Sequence, residues 1–137
     1  MSPSFREKDY QALAAFRYGL RKFLRFSKEL LDREANLTPE QYEALLALRA
    51  FSGKNGLVVG ELSERLQVKH HTAVSLTDKL VARKFVTRRR GTLDQRKVYV
   101  KLTASGAAAL APLAAIHQRE LQALSGELIE ALKEIRK

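Results

Sequence analysis

Val59-Gly60-Glu61-Leu62-Ser63-Glu64-Arg65-Leu66-Gln67-Val68-Lys69-His70-His71-Thr72-Ala73-Val74-Ser75-Leu76-Thr77-Asp78-Lys79-Leu80 reads as two helices joined by a tight turn. The first, Val59 to Leu66, is short and turns Val59, Leu62 and Leu66 inward. Val58 holds its N-cap position, where Ser, Thr or Asp would be the usual cap. Gln67-Val68 is the connection. The second helix runs from Lys69 to Arg83. Its Ala73, Leu76, Thr77 and Leu80 fall at i, i+3, i+4 and i+7, one face of a helix.

Two strand candidates follow. Phe85-Val86-Thr87-Arg88-Arg89-Arg90 is the first. Arg96-Lys97-Val98-Tyr99-Val100-Lys101-Leu102 is the second, with Val98, Val100 and Leu102 alternating. Gly91-Thr92-Leu93-Asp94-Gln95 forms the hairpin tip between them. Thr103 is placed to cap a further helix. Two short helices, a tight turn and a basic hairpin together describe a winged helix-turn-helix, with the two-stranded hairpin as the wing.

Upstream, Thr38-Pro39-Glu40-Gln41 opens a helix with clear grammar. Thr38 caps, Pro39 suits the first helical position, and Gln41 completes a capping box. Tyr42, Leu45, Leu46 and Leu48 give that helix its apolar face. Ser52-Gly53-Lys54-Asn55-Gly56 is a loop by composition. Further out, Leu13, Phe16, Leu20, Phe23, Leu24, Leu30 and Leu31 recur at helical spacing from Tyr10 to Leu31. Arg17, Arg21, Arg25 and Lys28 fill much of the rest, and Asn36-Leu37 ends this helix.

Downstream, Leu110, Ala114, His117, Leu121, Leu124, Leu128 and Ile135 run at spacings near ~3.5 residues, as in a helix that pairs with another. Pro112 is expected to kink the segment unless it lies close to the start. Ser125-Gly126 is expected to divide it into two helices. The fold class is therefore mainly α (α+β): a winged helix-turn-helix flanked by N- and C-terminal helices suited to dimerisation. The whole chain, 1–137, is one domain in this reading. Residues 37–103 form the winged part, and residues 1–36 and 104–137 the helical dimerisation part, with Leu13, Phe16, Leu20, Leu121, Leu124 and Leu128 at the interface.

Charge narrows the function. The formal net charge is +10 over 137 residues. A balance that positive points to a polyanionic partner, above all nucleic acid. Between Arg83 and Lys101 stand Arg83, Lys84, Arg88, Arg89, Arg90, Arg96, Lys97 and Lys101, against the single acid Asp94. A hairpin with arginines at its tip can lay them in the minor groove of DNA. Alternation along the strand puts Arg88 and Arg90 on one face and Arg89 on the other. The Asp94 carboxylate is placed to pair with Arg88 or Arg96 and so stiffen the wing.

The second helix of a helix-turn-helix enters the major groove with its N-terminal residues leading. Here those are Lys69, His70, His71, Thr72 and Ser75, all able to donate hydrogen bonds to phosphates or base edges. Val74 sits beside the apolar stripe, where it can touch a thymine methyl or serve as second-row core. The candidate DNA-binding set is completed by Arg88, Arg90, Arg96 and Lys97, with Asp94 stabilising the wing. Adjacent His70 and His71 point about 100° apart on a helix and make a poor chelate, and no metal site or cofactor is expected. His117 lies on an apolar stripe and reads as a satisfied interface histidine.

Other classes fare worse. The chain has no cysteine, which excludes disulfides, thiolate metal sites and cysteine redox sensing. It has no phosphate-binding glycine loop, no metal triad and no nucleophile motif, so an enzyme is not expected. The charged N-terminal stretch Met1 to Asp9 lacks the apolar core of a signal peptide. No apolar run approaches the ~20 residues that span a bilayer. A cytoplasmic protein associated with the nucleoid, with no membrane partner, is expected.

At this point the sequence resembles the MarR family of bacterial transcriptional regulators. The likeness runs from Leu37 to Gly106. It is carried by Leu37-Thr38-Pro39-Glu40-Gln41-Tyr42, Gly60-Glu61-Leu62-Ser63-Glu64-Arg65-Leu66 and Leu76-Thr77-Asp78-Lys79-Leu80. Its most specific part is Arg88, then Asp94-Gln95-Arg96, then Leu102-Thr103-Ala104-Ser105-Gly106. The resemblance implies a homodimer held by the first helix and the last two. It implies a recognition helix in the major grooves of a palindromic operator and a wing in the flanking minor groove. Arg96 matches the wing arginine of the family motif, and Asp94 the acid that holds it. Many members are repressors released by small, often aromatic or phenolic, anions; no effector residue carries over. Two departures stand out. Lys84 replaces the usual Gly after the recognition helix, where a left-handed Lys costs about 1 kcal/mol, and Val58 replaces the usual cap.

Three functions fit to different degrees. The first is a dimeric, sequence-specific transcriptional regulator of double-stranded DNA under small-molecule control. The second is a non-specific architectural DNA- or RNA-binding protein without effector control. The third is a protein-interaction module that is basic only for solubility. Varied polar side chains at the start of the recognition helix favour the first, because architectural binders rely on phosphates and deformation.

Overall fold

The computed structural model describes residues 4–137, so the first three positions of the N-terminal stretch lie outside it. Its elements are α1 (Glu7–Ala35), α2 (Pro39–Phe51), β1 (Leu57–Val58), α3 (Val59–Leu66), α4 (His70–Ala82), β2 (Val86–Arg90), β3 (Val98–Leu102) and α5 (Ala104–Arg136). The chain divides into two compact units, residues 31–114 and residues 1–30 with 115–137, with the division falling inside α1 and α5. Among the described residues, no helix is long and apolar enough to cross a membrane.

The 31–114 unit is built on one core. Leu31, Leu45, Leu48, Leu62, Leu80, Val86 and Val100 are fully buried, drawn from α1, α2, α3, α4 and the sheet. The start of α2 follows its sequence grammar. The Gln41 N–H donates to Thr38 Oγ1 at 3.1 Å, and the Thr38 N–H donates to Gln41 Oε1 at 2.9 Å. At Val58 only the reciprocal half of such a box forms, from its N–H to Glu61 Oε1 at 3.4 Å. Buried Thr77 satisfies its hydroxyl on the Ala73 carbonyl at 2.8 Å, so it costs the core no unpaired polar group.

The turn between α3 and α4 is closed by Gln67, which is left-handed at φ 54. Its N–H donates to the Glu64 carbonyl and the Val68 N–H donates to that of Ser63, each at 3.1 Å. The end of α4 repeats the device with Lys84 at φ 64. The Lys84 N–H donates to Val81 at 2.9 Å, and the Phe85 N–H to Leu80 at 3.0 Å. This is the paired bonding of a Schellman cap. The left-handed turn that the resemblance leads one to expect on Gly is therefore formed here on Lys.

The sheet corrects one expectation. It has three strands in the order β1-β3-β2, not two. Leu57 pairs with Val100 and Val58 with Tyr99, antiparallel, ahead of the hairpin rungs that run from Val86↔Leu102 to Arg90↔Val98. A strand of two residues shows no alternation, so its sequence carries no period to read. Gly56 permits the pairing: its φ is 90, and a Cβ there would lie 2.1 Å from the Val100 carbonyl oxygen.

A second correction concerns the C-terminal segment. α5 is one continuous helix of 33 residues, with Pro112 inside it and no division at Ser125-Gly126. The Ser125 hydroxyl turns back onto the Gln122 carbonyl at 2.8 Å and needs no break. A helical Gly costs about 1 kcal/mol, less than the packing of an apolar face returns. Thr103 does cap this helix: its Oγ1 accepts the Gly106 N–H at 3.0 Å.

In the other unit, residues 7–30 of α1 lie antiparallel to residues 115–136 of α5. Lys8 pairs with Glu134, Lys22 with Glu127, and Ser27 with His117. His117 is buried, with its Nε2 2.8 Å from Ser27 Oγ and the rings of Phe23 and Phe26 edge-on to it. It is thus satisfied within its own chain. Leu124 is also buried within the chain, and Leu128 lies over Gly19. Phe16, Leu20 and Leu128 are half-buried, while Leu13 and Leu121 are exposed.

Candidate nucleic-acid interface

α4 presents its first turn to solvent. Lys69, His70, His71 and Ser75 are exposed, and Thr72 is half-exposed. Lys69 occupies the N-cap without a side-chain bond to the helix. The reason is the apolar stripe. Ala73, Leu76, Thr77 and Leu80 are buried, which fixes the helix rotation and turns the residues between them outward. Val74 is 37% exposed, at the edge of that stripe. Among the described residues, no group of His, Asp or Glu could hold a metal ion.

The hairpin supplies the second part of the surface. Arg88, Arg89, Arg90, Arg96 and Lys97 are all exposed. The register places Arg88 opposite Val100 and Arg90 opposite Val98, on the face that buries Val86 and Val100. Arg89 takes the other face, opposite Tyr99. Because the Arg88 face looks toward α4, its guanidinium forms an ion pair with Asp78 of that helix. Arg88 is thereby tied to α4, and not to Asp94.

Asp94 instead holds Arg96. Its carboxylate accepts from the Arg96 N–H at 3.0 Å, from Nε at 3.1 Å and from Nη2 at 3.3 Å. These side-chain and backbone bonds from Arg96, aided by Lys97, hold the Asp94 carboxyl below the usual carboxylate range. The Arg96 side chain stays 92% exposed while so aimed. An oriented, solvated guanidinium of this kind can still meet a phosphate or a groove edge, because Asp94 uses only part of its donor fork.

His70, Val74, Arg88, Arg96 and Val98 come together with Val59 around a cleft of about 150 Å³ between α3, α4 and the hairpin. The sequence reading missed this convergence, and it gave no partner to Asp78 or Arg83. The signal for the cleft is present: His70, Val74, Thr77 and Asp78 follow one another at i, i+4, i+7 and i+8 on α4. Arg83 donates to the carbonyls of Asn36 at 2.6 Å and Ala35 at 2.9 Å, fastening the end of α4 to the end of α1. No local pattern foretells a contact across 47 residues.

A helix-turn-helix with a solvent-facing leading turn, closed by a three-stranded sheet with a cationic wing, defines the winged helix-turn-helix class. Residues 35–97 match the family model described as MarR family. No curated protein matches the sequence. Among solved structures, MepR, a transcription regulator of the Staphylococcus aureus multidrug efflux pump MepA, is 25% identical with a TM-score of 0.70. That likeness covers 82% of this chain and 81% of MepR. A mutant MarR from E. coli complexed with operator DNA is also 25% identical, TM-score 0.68, covering 85% and 84%. AbsC, a MarR family transcriptional regulator from Streptomyces coelicolor, shares the fold over 98% of this chain and 90% of its own, at 18% identity and TM-score 0.80. The chain is thus similar to MarR family regulators, by the family model over residues 35–97 and by fold over most of its length.

Proposed function

We propose that this chain is a sequence-specific transcriptional regulator that binds a palindromic operator as a homodimer and acts as a repressor in the cytoplasm. Residues 37–103 read DNA in this proposal, and residues 1–36 and 104–137 build the dimer. The single observation that carries it is the pairing of two exposed surfaces in one unit. The polar first turn of α4 is suited to base edges, and the Asp94-oriented Arg96 is suited to the minor groove. MarR of E. coli is seen with operator DNA, which supports the same use of the shared fold. The exposed Leu13 and Leu121 support a partner copy on the helical part.

Release by a small aromatic or phenolic anion completes the proposal. The cleft beside α4 supports it, since Arg88 and Arg96 line it together with the apolar Val59, Val74 and Val98. A ligand seated between Val74 and the hairpin would compete with DNA for Arg88 and Arg96. The test of the reading is selection of duplexes from a randomised pool by the full-length protein. Enrichment of an inverted repeat, with half-sites about one helical turn apart, is expected. Enrichment of no sequence, with retention of bulk DNA, would instead identify an architectural binder.

A further inference from the structure

Leu93 stands at the apex of the wing and is fully exposed, at 103% of its reference area. The loop around it is built without it. The Gly91 N–H donates to the Lys97 carbonyl at 2.8 Å, and the Lys97 N–H donates to the Asp94 carbonyl at 3.1 Å. The Asp94 carboxylate is held in turn by Arg96. At Gly91 a Cβ would lie 2.5 Å from the Asp94 carbonyl oxygen, so the chain closes there at a distance only glycine allows. A branched apolar side chain is thus carried in water on a braced tip, with Arg90, Arg96 and Lys97 exposed around it. Folding gains nothing from that placement.

We infer that Leu93 is a specificity-determining residue that packs on the floor of the minor groove and selects A·T over G·C base pairs beneath the wing. This rests on the wing-in-groove reading above and deepens it. The cations around Leu93 would draw the tip into the most negative part of the duplex surface, the narrow groove of A·T-rich DNA. The chemistry of the floor then discriminates. An A·T pair shows only acceptors there, whereas a G·C pair adds the guanine N2 amine. Leucine has no acceptor for that amine. It would strip the amine of water and leave it unpaired, a penalty that an A·T floor does not carry.

The experiment uses the full-length protein and a duplex it has itself selected. Minor-groove footprinting locates the base pairs under the wing. Three versions of the duplex are then compared, with A·T, G·C or inosine·C at those pairs; inosine lacks the N2 amine. The wild type should bind the G·C version at least about fivefold more weakly, the low end of the cost of a wrong base pair, and the inosine version within about twofold of A·T. Leu93→Ala should shrink the G·C penalty below about twofold, and Leu93→Met should keep most of it. A full penalty in Leu93→Ala, or inosine behaving as guanine, overturns the role of Leu93. Arg96→Ala is the separate control: it should weaken all three duplexes alike, and unchanged binding by it would defeat the wing reading itself.

Discussion

Arg88 of β2 and Asp78 of α4 form an ion pair that joins the wing to the recognition helix. The two surfaces proposed to read the two grooves are thereby held at one angle by a pair of side chains. Both are about half exposed, so the pair contributes little to global stability. Asp78→Ala should change the unfolding free energy by less than about 1 kcal/mol. Its effect should be local: amide exchange of residues 86–90 should quicken while that of the buried stripe of α4 stays as it was. Unaltered exchange in β2 would show that the pair does not brace the wing.

Arg96→Ala should weaken DNA binding about tenfold or more, with the protein still folded, because Arg96 is solvated and supports no core contact. Asp94→Ala should cost less, through a looser tip. The sign of the pH effect follows from Asp94. Its folded pKa is depressed, first by the Arg96 side chain and then by the Arg96 N–H. The bracing is therefore complete above the unfolded value near ~3.9 and is lost as pH falls through the lower folded value. Titrating DNA affinity from neutral pH down to about 5 should show no loss traceable to Asp94.

Lys84→Gly should stabilise the protein by about 1 kcal/mol in urea unfolding, because φ 64 is strained for Lys and free for Gly. The Schellman bonds of Lys84 and Phe85 are backbone bonds and survive the change. If DNA affinity falls in the same variant, Lys84 is also a phosphate contact, and the strain is kept for that contact.

Leu121→Glu should yield a folded monomer on sizing and in circular dichroism, since Leu121 is 40% exposed within the chain. Leu124→Glu is a different experiment. Leu124 is buried in its own chain, so a charge there should unfold the helical unit. A Leu121→Glu protein that remains fully dimeric would remove the helical part from the proposed interface.

The HTH and the hairpin were legible because their signals are local. Thr38 and Gln41 sit three apart, Ala73 to Leu80 keeps a helical period, and Val98, Val100 and Leu102 alternate. What stayed hidden depends on distance along the chain or on packing. β1 is too short to carry a period. Ser125-Gly126 reads as a break only if its neighbours on α5 are ignored. Asp94 was open between two arginines until the register turned Arg88 toward α4. Of the residues proposed for the interface, Leu13 and Leu121 keep free surface and Leu124 does not, which helical spacing alone could not separate.

The central claim is sequence-specific DNA binding by this winged helix. Its most direct test measures the affinity of the full-length protein for a selected palindrome and for random DNA of equal length as salt is raised. Both affinities should fall with salt, and the palindrome should stay tighter by about a thousandfold or more at physiological ionic strength. Two curves that fall together, with no preference at any salt, would contradict the account.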